Sequence, residues 1–438
     1  MVRLSGPDAL LLASEVFHSK SSTAPYDPNR AQFGSIVDPA SGEQVDEAVA
    51  TYFKAPHSYT GEDVVELSCH GSPIILRRVL ELLTARGARL AEPGEFTFRA
   101  FFNRRIDLAQ AQAVRDVINA QTEYQARVAT RQLEGSLSKR LTPLKEALIE
   151  VIVHLESSVE FVEDDISTDA MSALLARIDE VIAKLTEVAS SFSFGRLLKE
   201  GFDLAIVGRP NVGKSSVFNR LIGSDRAIVT ELPGTTRDAL YETTSIAGVP
   251  VRLIDTAGIR ETSDRVESIG ITRSRAAIAD ADIVLVIIDQ SEPLTDEDTK
   301  LLDKIAVGRR LIALNKSDLA RALDRESMPA QDRDGAISIS ALSGDGFEEL
   351  KRSLMERLTG DASSERDDIM LTDARQHSAI RAAIERLNEA RRLMADRELE
   401  EIVLLKLRGA LESIGEISGE TLTEDILSQI FSTFCIGK

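Results

Sequence analysis

The sequence predicts a multidomain α+β and α/β protein in which a domain with a parallel β-sheet is inserted into a helical domain. Three observations lead to this prediction. At 438 residues, the chain is too long for one ordinary domain. After a mixed N-terminal region, a central region alternates apolar strand-like runs with helical segments. On both sides of that central region the pattern is helical, as expected of a helical domain interrupted by an insertion.

The first predicted domain, residues 1–104, is a small α+β domain. The runs RAQFGSIVD and DVVELSCHG read as strands, and both lie among Gly and Pro turns. Between the second run and the end of this domain, PIILRRVLELLTARGA has the spacing of an amphipathic helix.

The helical domain is predicted in two halves, at 105–198 and at 361–438. In the first half, apolar residues recur at helical spacing and place one apolar stripe on a long helix. The stripe consists of Leu137, Leu141, Leu144, Leu148, Ile152 and Leu155. The second half begins with DARQHSAIRAAIERLNEARRLM, which has the same texture.

The inserted domain is predicted at 199–360. Its strand-like runs are FDLAIVG, VRLIDTAG, IVLVIIDQ, RRLIALNKSD and GAISISAL. The strands lack polar alternation and are separated by helical segments, which is typical of a parallel sheet buried on both faces.

Composition favours a protein of a reducing cytoplasm. The chain is 43% hydrophobic and 28% charged, and its two cysteines are too few for a disulfide framework. The longest strongly apolar run, IVLVII, is far shorter than the roughly 18 residues of a membrane span, and the N-terminus lacks the pattern of a signal peptide. A net charge of −19 disfavours nucleic acid, so any RNA partner is expected to be met through a local patch or another protein.

The strongest motif is GRPNVGKSS at 208–216, which fits G-x-x-x-x-G-K-[ST] between a strand and a helix pattern. Its glycines let backbone N–H groups approach phosphates. Lys214 brings a positive charge to the β- and γ-phosphates, and the Ser215 hydroxyl is a Mg²⁺ ligand in such loops. The motif predicts a nucleoside triphosphate site.

Two further motifs complete the predicted phosphate and Mg²⁺ end of this site. DTAG begins at Asp255, which is placed to hold Mg²⁺ through water, and ends at Gly258, whose N–H is expected to meet the γ-phosphate. GTTRD, which lies between the phosphate loop and DTAG, offers Thr236 as a second Mg²⁺ ligand in a switch loop.

The motif NKSD predicts that the base is guanine. The Asp318 carboxylate can accept two hydrogen bonds from the guanine edge, and adenine has no matching pair of donors. Asn315 is expected to support the ring, and Lys316 to lie along it. The segment SAL at 340–342 is expected to add a backbone contact to the base.

Hydrolysis needs a device other than a glutamine, because Ile259 follows DTAG where Ras-like enzymes place a water-orienting glutamine. Asn211 in the phosphate loop is a candidate ligand for K⁺, which would supply the charge that an arginine finger supplies elsewhere. Glu267 either positions the water or is a solvated residue on a helix face.

Together, these motifs resemble a known family. GRPNVGKSS, VTELPGTTRD, IDTAGIRETSDRVESIGI, the interrupted helical region and the terminal FCIGK are similar to the tRNA uridine-modification GTPases of the MnmE family, also called TrmE. The resemblance covers nearly the whole chain, in domain order as well as in motif. Family members usually carry about one more strand and a Gly-rich loop before the segment that corresponds to VRLSG.

The resemblance implies a K⁺-dependent GTP hydrolase that works with an FAD-containing MnmG-like partner. Family members are homodimers through the N-terminal domain, which resembles a folate-binding module and holds 5-formyl- or 5,10-methylene-tetrahydrofolate. Their GTPase domains pair across the nucleotide in a K⁺-dependent way, which stimulates hydrolysis. With the partner, through which tRNA is largely bound, they install a carboxymethylaminomethyl or aminomethyl group at C5 of the wobble uridine.

The resemblance also assigns residues. It places the catalytic glutamate at Glu267, and Mg²⁺ at Ser215 and Thr236. The implied K⁺ ligands are Asn211, Thr230, Leu232 and Thr235, and the implied folate contacts are Arg3, Glu66, Arg105 and Lys438. Motifs and resemblance together mark these guanine-nucleotide contacts: Asn211, Val212, Gly213, Lys214, Ser215, Ser216, Thr230, Glu231, Leu232, Pro233, Gly234, Thr235, Thr236, Asp255, Thr256, Ala257, Gly258, Asn315, Lys316, Ser317, Asp318, Ser340, Ala341 and Leu342.

The terminal FSTFCIGK leaves three interpretations open. CIGK fits the preferences of a prenylation box poorly, because it ends in Gly-Lys and no polybasic segment precedes it. Cys435 has a candidate chemical role as a thiol near a lysine. The favoured interpretation is that Phe431 and Phe434 dock the tail and carry Cys435 and Lys438 to the folate site.

Two other classes of protein share parts of this pattern. A GTPase of ribosome assembly would share GRPNVGKSS but would usually add a basic RNA-binding domain with a GXXG loop, whereas this chain continues as an acidic helical region. A mechanical GTPase at membranes would need a basic amphipathic helix or a lipid anchor, and neither pattern is found in the sequence.

Overall fold

The computed structural model describes residues 1–20, 26–160, 168–224, 241–255, 281–359, 370–434 and 437. Contacts within the chain divide it into two units. The first unit is Met1–Arg115, Gln132–Ser138 and Gly415–Lys438, and the second is Asp116–Arg131 and Lys139–Ile414. The domain boundaries predicted after residues 104, 198 and 360 stay predictions.

The strands are β1 (Val2–Ser5), β2 (Phe17–Ser19), β3 (Ala31–Val37), β4 (Gln44–Phe53), β5 (Val64–Ser68), β6 (Phe202–Val207), β7 (Tyr241–Ile246), β8 (Val249–Asp255), β9 (Ile283–Asp289), β10 (Arg310–Asn315) and β11 (Ile337–Ser338). The α-helices are α1 (Ala9–Val16), α2 (Pro73–Thr84), α3 (Glu95–Phe102), α4 (Leu108–Asn119), α5 (Glu123–Leu133), α6 (Ser136–Glu160), α7 (Thr168–Ser190), α8 (Phe192–Glu200), α9 (Lys214–Ser224), α10 (Asp296–Lys304), α11 (Ala330–Arg333), α12 (Phe347–Thr359), α13 (Ala374–Ala395), α14 (Glu400–Ser418) and α15 (Glu424–Phe431). Short 3₁₀ helices span Val307–Arg309 and Arg325–Ser327.

The first unit contains an antiparallel sheet in the order β1-β5-β4-β3-β2. Along β4, buried residues alternate with more accessible ones, because one face of the sheet packs on the core and the other does not. Helix α2 begins with Pro73, where the missing N–H costs no helical hydrogen bond. The predicted strands in RAQFGSIVD and DVVELSCHG and the predicted helix after them are confirmed as β3, β5 and α2.

An aromatic cluster docks the C-terminal segment of the first unit. Phe431 lies edge-on to Phe98, with ring centroids 5.3 Å apart, and Phe434 lies 5.2 Å from Phe431. Both C-terminal rings are buried and pack with Leu108. Gly94, with a φ of 71°, allows this approach, because a Cβ there would lie 2.6 Å from the Phe431 carbonyl oxygen.

The second unit contains the predicted parallel sheet, in the order β11-β10-β9-β6-β8-β7. Neighbouring strands from β11 to β8 are parallel, and β7 pairs antiparallel with β8. Successive side chains of β6 pack into different cores: those of Leu204 and Ile206 into one, and those of Ala205 and Val207 into the other. The sheet is therefore covered on both faces, which explains why its strands lack polar alternation. The antiparallel edge strand β7 was not predicted.

Helices from before and after this sheet pack together in the second unit. The predicted stripe on α6 is confirmed, because its Leu141, Leu144, Leu148, Ile152 and Leu155 are all buried. Helix α7 packs against α13, where Asp179 Oδ1 lies 2.5 Å from Arg391 Nε. Asp373 caps α13 by accepting hydrogen bonds from the N–H groups of Arg375 and Gln376.

Candidate functional site

The segment that carries the first motif lies at the carboxyl end of the central strand β6. Here the strand order reverses, since β8 pairs on one side of β6 and β9 on the other, and such a switch point is where open α/β sheets bind ligands. We call residues 208–213, between β6 and α9, the phosphate loop. Its last residue, Gly213, has a φ of 96°, and a Cβ there would lie 2.3 Å from Asn315 Nδ2. Glycine is therefore required at this position.

Hydrogen bonds join the phosphate loop to two neighbouring segments. Lys214 Nζ donates to the Arg209 carbonyl at 2.6 Å. Asn315 is buried; its Nδ2 donates to the Val212 carbonyl at 2.8 Å, and its Oδ1 accepts from the Ala341 N–H at 3.0 Å. Asn315 was predicted to support the base, and the structure gives it the additional role of linking the phosphate loop to the segment 340–342.

The segment 315–318, which is predicted to contact the base, begins with the last residue of β10. Ser340 Oγ donates to Asp318 Oδ1 at 2.5 Å, and Ser340 itself is fully buried. The exposed Asp318 carboxylate is therefore oriented by the hydroxyl group of a buried residue. Lys316, with a left-handed φ of 66°, places Nζ 2.5 Å from Asp289 Oδ2.

Asp289 is a buried carboxylate at the end of β9 that the sequence analysis missed. Burial acts to raise its pKa, but hydrogen bonds from Lys316 and Ser291 outweigh that effect, and the pKa lies below its ordinary value. Its position as the last residue of an apolar strand was the available signal, since the carboxyl ends of parallel strands meet at the ligand-binding edge. The sequence analysis also missed an ion-pair cluster of Arg209 with Asp298 and Glu292.

The structure brings together predicted contacts on three segments: 211–216, 315–318 and 340–342. Asn211 is exposed and has a φ of 63°. The backbone of Asp255 ends β8 in register with Ile206 of β6, at the same edge of the sheet. The predicted residues at 230–236, the residues at 256–258, Glu267, Cys435 and Lys438 lie outside the described residues.

Two of the predicted folate contacts meet on the first sheet. Arg3 of β1 is the register partner of Glu66 of β5, and its Nε donates to Glu66 Oε1 at 2.8 Å. The Arg3 guanidinium also lies 5.9 Å from the Tyr59 ring centroid and 5.6 Å from that of Phe96. The aliphatic part of the Arg105 side chain packs against Gly61, since a Cβ on Gly61 would lie 3.3 Å from Arg105 Cγ.

Among the residues that the structure describes, no group of three or more His, Cys, Asp or Glu side chains is arranged to hold a metal ion. Within the same ranges, no helix combines the length and apolar character needed to cross a membrane.

The fold and the nucleotide site define a P-loop GTPase. A model of the GTP-binding protein TrmE N-terminus matches residues 1–105, and a model of the MnmE helical domain matches residues 108–435. The chain belongs to the MnmE family of tRNA modification GTPases, and it is an enzyme that binds and hydrolyses GTP. The tRNA modification GTPase MnmE of Koribacter versatilis is 48% identical over 441 residues, which cover 100% of this chain and 96% of the relative. Those of Aquifex aeolicus and Geobacter sulfurreducens are 45% and 42% identical, with the same coverage.

Solved structures of other GTPases are similar to part of the chain. The G domain of the T. maritima FeoB iron transporter is 28% identical, covers 36% of this chain and 98% of its own, and has a TM-score of 0.27. Aquifex aeolicus Era bound to GDP·AlF₄⁻ is 24% identical, covers 42% of this chain and 66% of its own, and also has a TM-score of 0.27.

Proposed function

We propose that this tRNA modification GTPase hydrolyses GTP in a K⁺-dependent way and, with an FAD-containing MnmG-like partner and a one-carbon tetrahydrofolate, modifies C5 of the wobble uridine. It acts as a cytoplasmic homodimer, and tRNA is bound largely through the partner. The observation that carries this proposal is the 48% identity to a tRNA modification GTPase MnmE along the whole chain.

The phosphate loop supports the part of the proposal that concerns metal ions. Asn211 lies in that loop with an exposed side chain, as a ligand for a cation beside the phosphates requires. With Thr230, Leu232 and Thr235 it would hold K⁺, and Ser215 with Thr236 would hold Mg²⁺. These ions supply positive charge at the phosphates, and Glu267 is proposed to orient the attacking water.

The Arg3–Glu66 pair supports the folate part. Arg3 and Glu66 are each 22% exposed, so that a ligand can reach them. The guanidinium suits an anionic tail, and the carboxylate can accept hydrogen bonds from the N–H and amino groups of a pterin ring. The nearby Tyr59 ring, which is 37% exposed, offers a flat apolar surface to such a ring. Arg105 and Lys438 complete the proposed site.

The K⁺ proposal is tested by GTP turnover in matched K⁺ and Na⁺ buffers. We expect faster turnover in K⁺ for the wild type and loss of that difference in Asn211→Ala, because the cation loses a ligand. Equal wild-type rates in the two salts would contradict K⁺ dependence without affecting the assignment as a GTPase.

The folate proposal is tested by titration with 5-formyltetrahydrofolate. We expect binding by the wild type and a loss of about tenfold or more in Glu66→Gln, since a charge-assisted hydrogen bond is worth about 1.5–3 kcal/mol. Glu47→Gln is the matched control, because Glu47 lies on β4 of the same sheet and pairs with Lys20 at the surface. No binding by the wild type would exclude this cofactor.

The tRNA part is tested by nucleoside mass spectrometry of tRNA from cells with and without the gene. Loss of the C5-modified wobble uridine in the deletion strain is expected, together with restoration by the wild-type gene. An unchanged modification level would overturn the proposed reaction.

A further inference from the structure

Arg209, the second residue of the phosphate loop, forms a partly buried ion-pair cluster. Its Nε lies 3.0 Å from Asp298 Oδ2, and its Nη2 lies 2.9 Å from Glu292 Oε2. The Arg209 side chain is 17% exposed and that of Asp298 only 1%. The main-chain carbonyl of Arg209 accepts the hydrogen bond from Lys214 Nζ. One residue thus connects a buried carboxylate to the lysine of the phosphate loop.

Asp298 is itself held in place by the start of α10. Its Oδ2 accepts hydrogen bonds from Thr295 Oγ1 at 2.7 Å and from the Thr295 N–H at 3.2 Å, and its own N–H bonds back to the Thr295 side chain. This capping box fixes the orientation of the carboxylate. Because a buried charge without a partner is costly, Arg209 and Asp298 are expected to stay paired.

A side chain that holds the phosphate loop in place is expected to favour nucleotide binding, because the backbone of this loop is unusual. Gly208, Asn211 and Gly213 have φ values of 156°, 63° and 96°, which are left-handed backbone conformations. Glycine-rich segments lose much conformational entropy when they are ordered, and that loss weakens ligand binding. A side chain that holds the loop in its binding conformation before nucleotide arrives reduces the loss.

We propose that Arg209 is a positioning residue for GTP binding: the Arg209–Asp298 ion pair anchors the phosphate loop to α10 and keeps the Arg209 carbonyl in place to orient Lys214. Glu292 contributes less, because its side chain is 56% exposed and exposed ion pairs are weak. The inference deepens the assignment as a GTP-binding enzyme, and it is independent of the K⁺, folate and partner proposals.

The test compares Arg209→Gln, Arg209→Lys, Asp298→Asn and the double variant Arg209→Gln/Asp298→Asn with the wild type. We expect Arg209→Gln and Asp298→Asn each to raise the KM for GTP and the Kd for a fluorescent GDP analogue about tenfold. This is the change expected for the loss of one charge-assisted hydrogen bond. The kcat is expected to change less than about twofold, because the loop binds ground state and transition state alike. Arg209→Lys is expected to keep most of the affinity, since an ammonium group can still pair with Asp298.

The double variant decides whether Arg209 acts through Asp298. If it does, the double variant binds no more weakly than the weaker single variant, because the second change removes a partner already lost. Arg252→Gln is the matched control: it removes an ion pair with Asp203 at the start of β6, the opposite end of the same strand, and should leave affinity unchanged.

Several results would overturn the inference. The inference fails if Arg209→Gln binds the GDP analogue with wild-type affinity, or if its kcat falls while its KM for GTP stays constant. Weak binding in Arg209→Gln with unchanged binding in Asp298→Asn would also overturn it, because the guanidinium would then act on the nucleotide directly. Arg209→Gln leaves the capping box of α10 intact, so its result stands even if Asp298→Asn fails to fold. Failure of the wild type itself to bind GDP would refute nucleotide binding rather than this inference.

Discussion

At the scale of single residues, the side chains predicted to form the nucleotide site hold one another in place. Buried Asn315 links the phosphate loop to the segment 340–342, and Ser340 donates to the Asp318 carboxylate, which is predicted to recognise the base. Asp289 holds Lys316 in the same way. Because buried polar groups need partners, each such pair restricts the orientation of the other member. The site is therefore largely formed by the protein's own hydrogen bonds.

The guanine preference is predicted to depend on Asp318. In Asp318→Asn we expect affinity for GTP to fall at least about 100-fold, because two charge-assisted hydrogen bonds worth about 1.5–3 kcal/mol each are lost. Affinity for xanthosine triphosphate should rise, since the new amide can donate to the oxygen that xanthine carries at C2. Competition binding with the two nucleotides measures the change. Asp334→Asn, an exposed carboxylate of the same unit, serves as the control, and unchanged GTP binding in Asp318→Asn would contradict the assignment.

At the scale of elements, helix α3 receives partners from distant parts of the chain. Its N-terminal residue Glu95 pairs with Arg89 and Arg99, and its residue Phe98 receives Phe431 from the C-terminal segment. Gly94, immediately before the helix, allows that segment to approach. The packing of α3 therefore depends on a turn residue and an ion-pair cluster at the same end of the helix.

Gly94→Ala is predicted to release the C-terminal segment. The added Cβ would lie 2.6 Å from the Phe431 carbonyl oxygen and 2.9 Å from Phe434 Cβ, and the left-handed backbone costs a further 1–2 kcal/mol or so for a residue other than glycine. We expect a protease to cleave α15 faster in this variant than in the wild type. Mass spectrometry of the fragments measures the cleavage. Gly71→Ala is the matched control, since a Cβ there would meet nothing within 4 Å. Equal cleavage of both variants would show that Gly94 is not needed for docking.

Glu95 makes the stability of the first unit dependent on pH. Although burial opposes ionisation, hydrogen bonds from Arg89, the Glu92 N–H and Arg99 lower the pKa of Glu95 from 4.5 to about 2. A lowered pKa means that this group stabilises the folded state above pH 4.5 and loses that effect as pH falls towards 2. In Glu95→Gln we therefore expect a free energy of unfolding about 2–3 kcal/mol lower at pH 7.

This pH dependence is measured by urea unfolding, followed through hydrogen exchange of peptides from β4 and β5. The difference between wild type and Glu95→Gln should be constant near neutral pH and shrink below about pH 4.5. Glu43→Gln, an exposed carboxylate before β4, is expected to behave as the wild type. A difference that grows as pH falls would be inconsistent with the lowered pKa.

At the scale of the whole molecule, each unit has its own core, and the nucleotide site belongs to the second. The sheet of the first unit buries Ile36 and Leu67 in one core. That of the second buries Leu204 on one face and Ala205 and Val284 on the other. A ligand that binds only the folded state stabilises the unit that holds its site.

GDP with Mg²⁺ is predicted to protect the second unit from hydrogen exchange. At a ligand concentration 100 times the Kd, the expected stabilisation is about 2.7 kcal/mol, a reduction of roughly 100-fold in exchange through global opening of that unit. Peptides from β6, β9 and β10 should show this protection, and those from β3 and β4 should show far less. Comparison with ATP and Mg²⁺ provides the control. Equal protection of both units by GDP would contradict the prediction.

Local chemistry explains why much of this protein could be predicted from its sequence. The phosphate loop and NKSD each lie within a few consecutive residues, so their chemistry is visible without a fold. Burial leaves visible patterns in the sequence: the stripe on α6 recurs at helical spacing, and β6 and β9 contain the continuous apolar runs LAIV and IVLVII. The edge strand β7 escaped prediction because YETTSI contains only one strongly apolar residue, and its antiparallel pairing follows from the turn at Ala247–Gly248.

Contacts between distant residues were decided only by the tertiary structure. Arg3 faces Glu66 because of strand register, and Arg209 meets Asp298 across 89 positions of sequence. The resemblance to a family named Arg3 and Glu66 as separate ligands without indicating that they pair. A salt bridge leaves no periodic pattern, since either partner resembles any other charged residue until the backbone brings the two together.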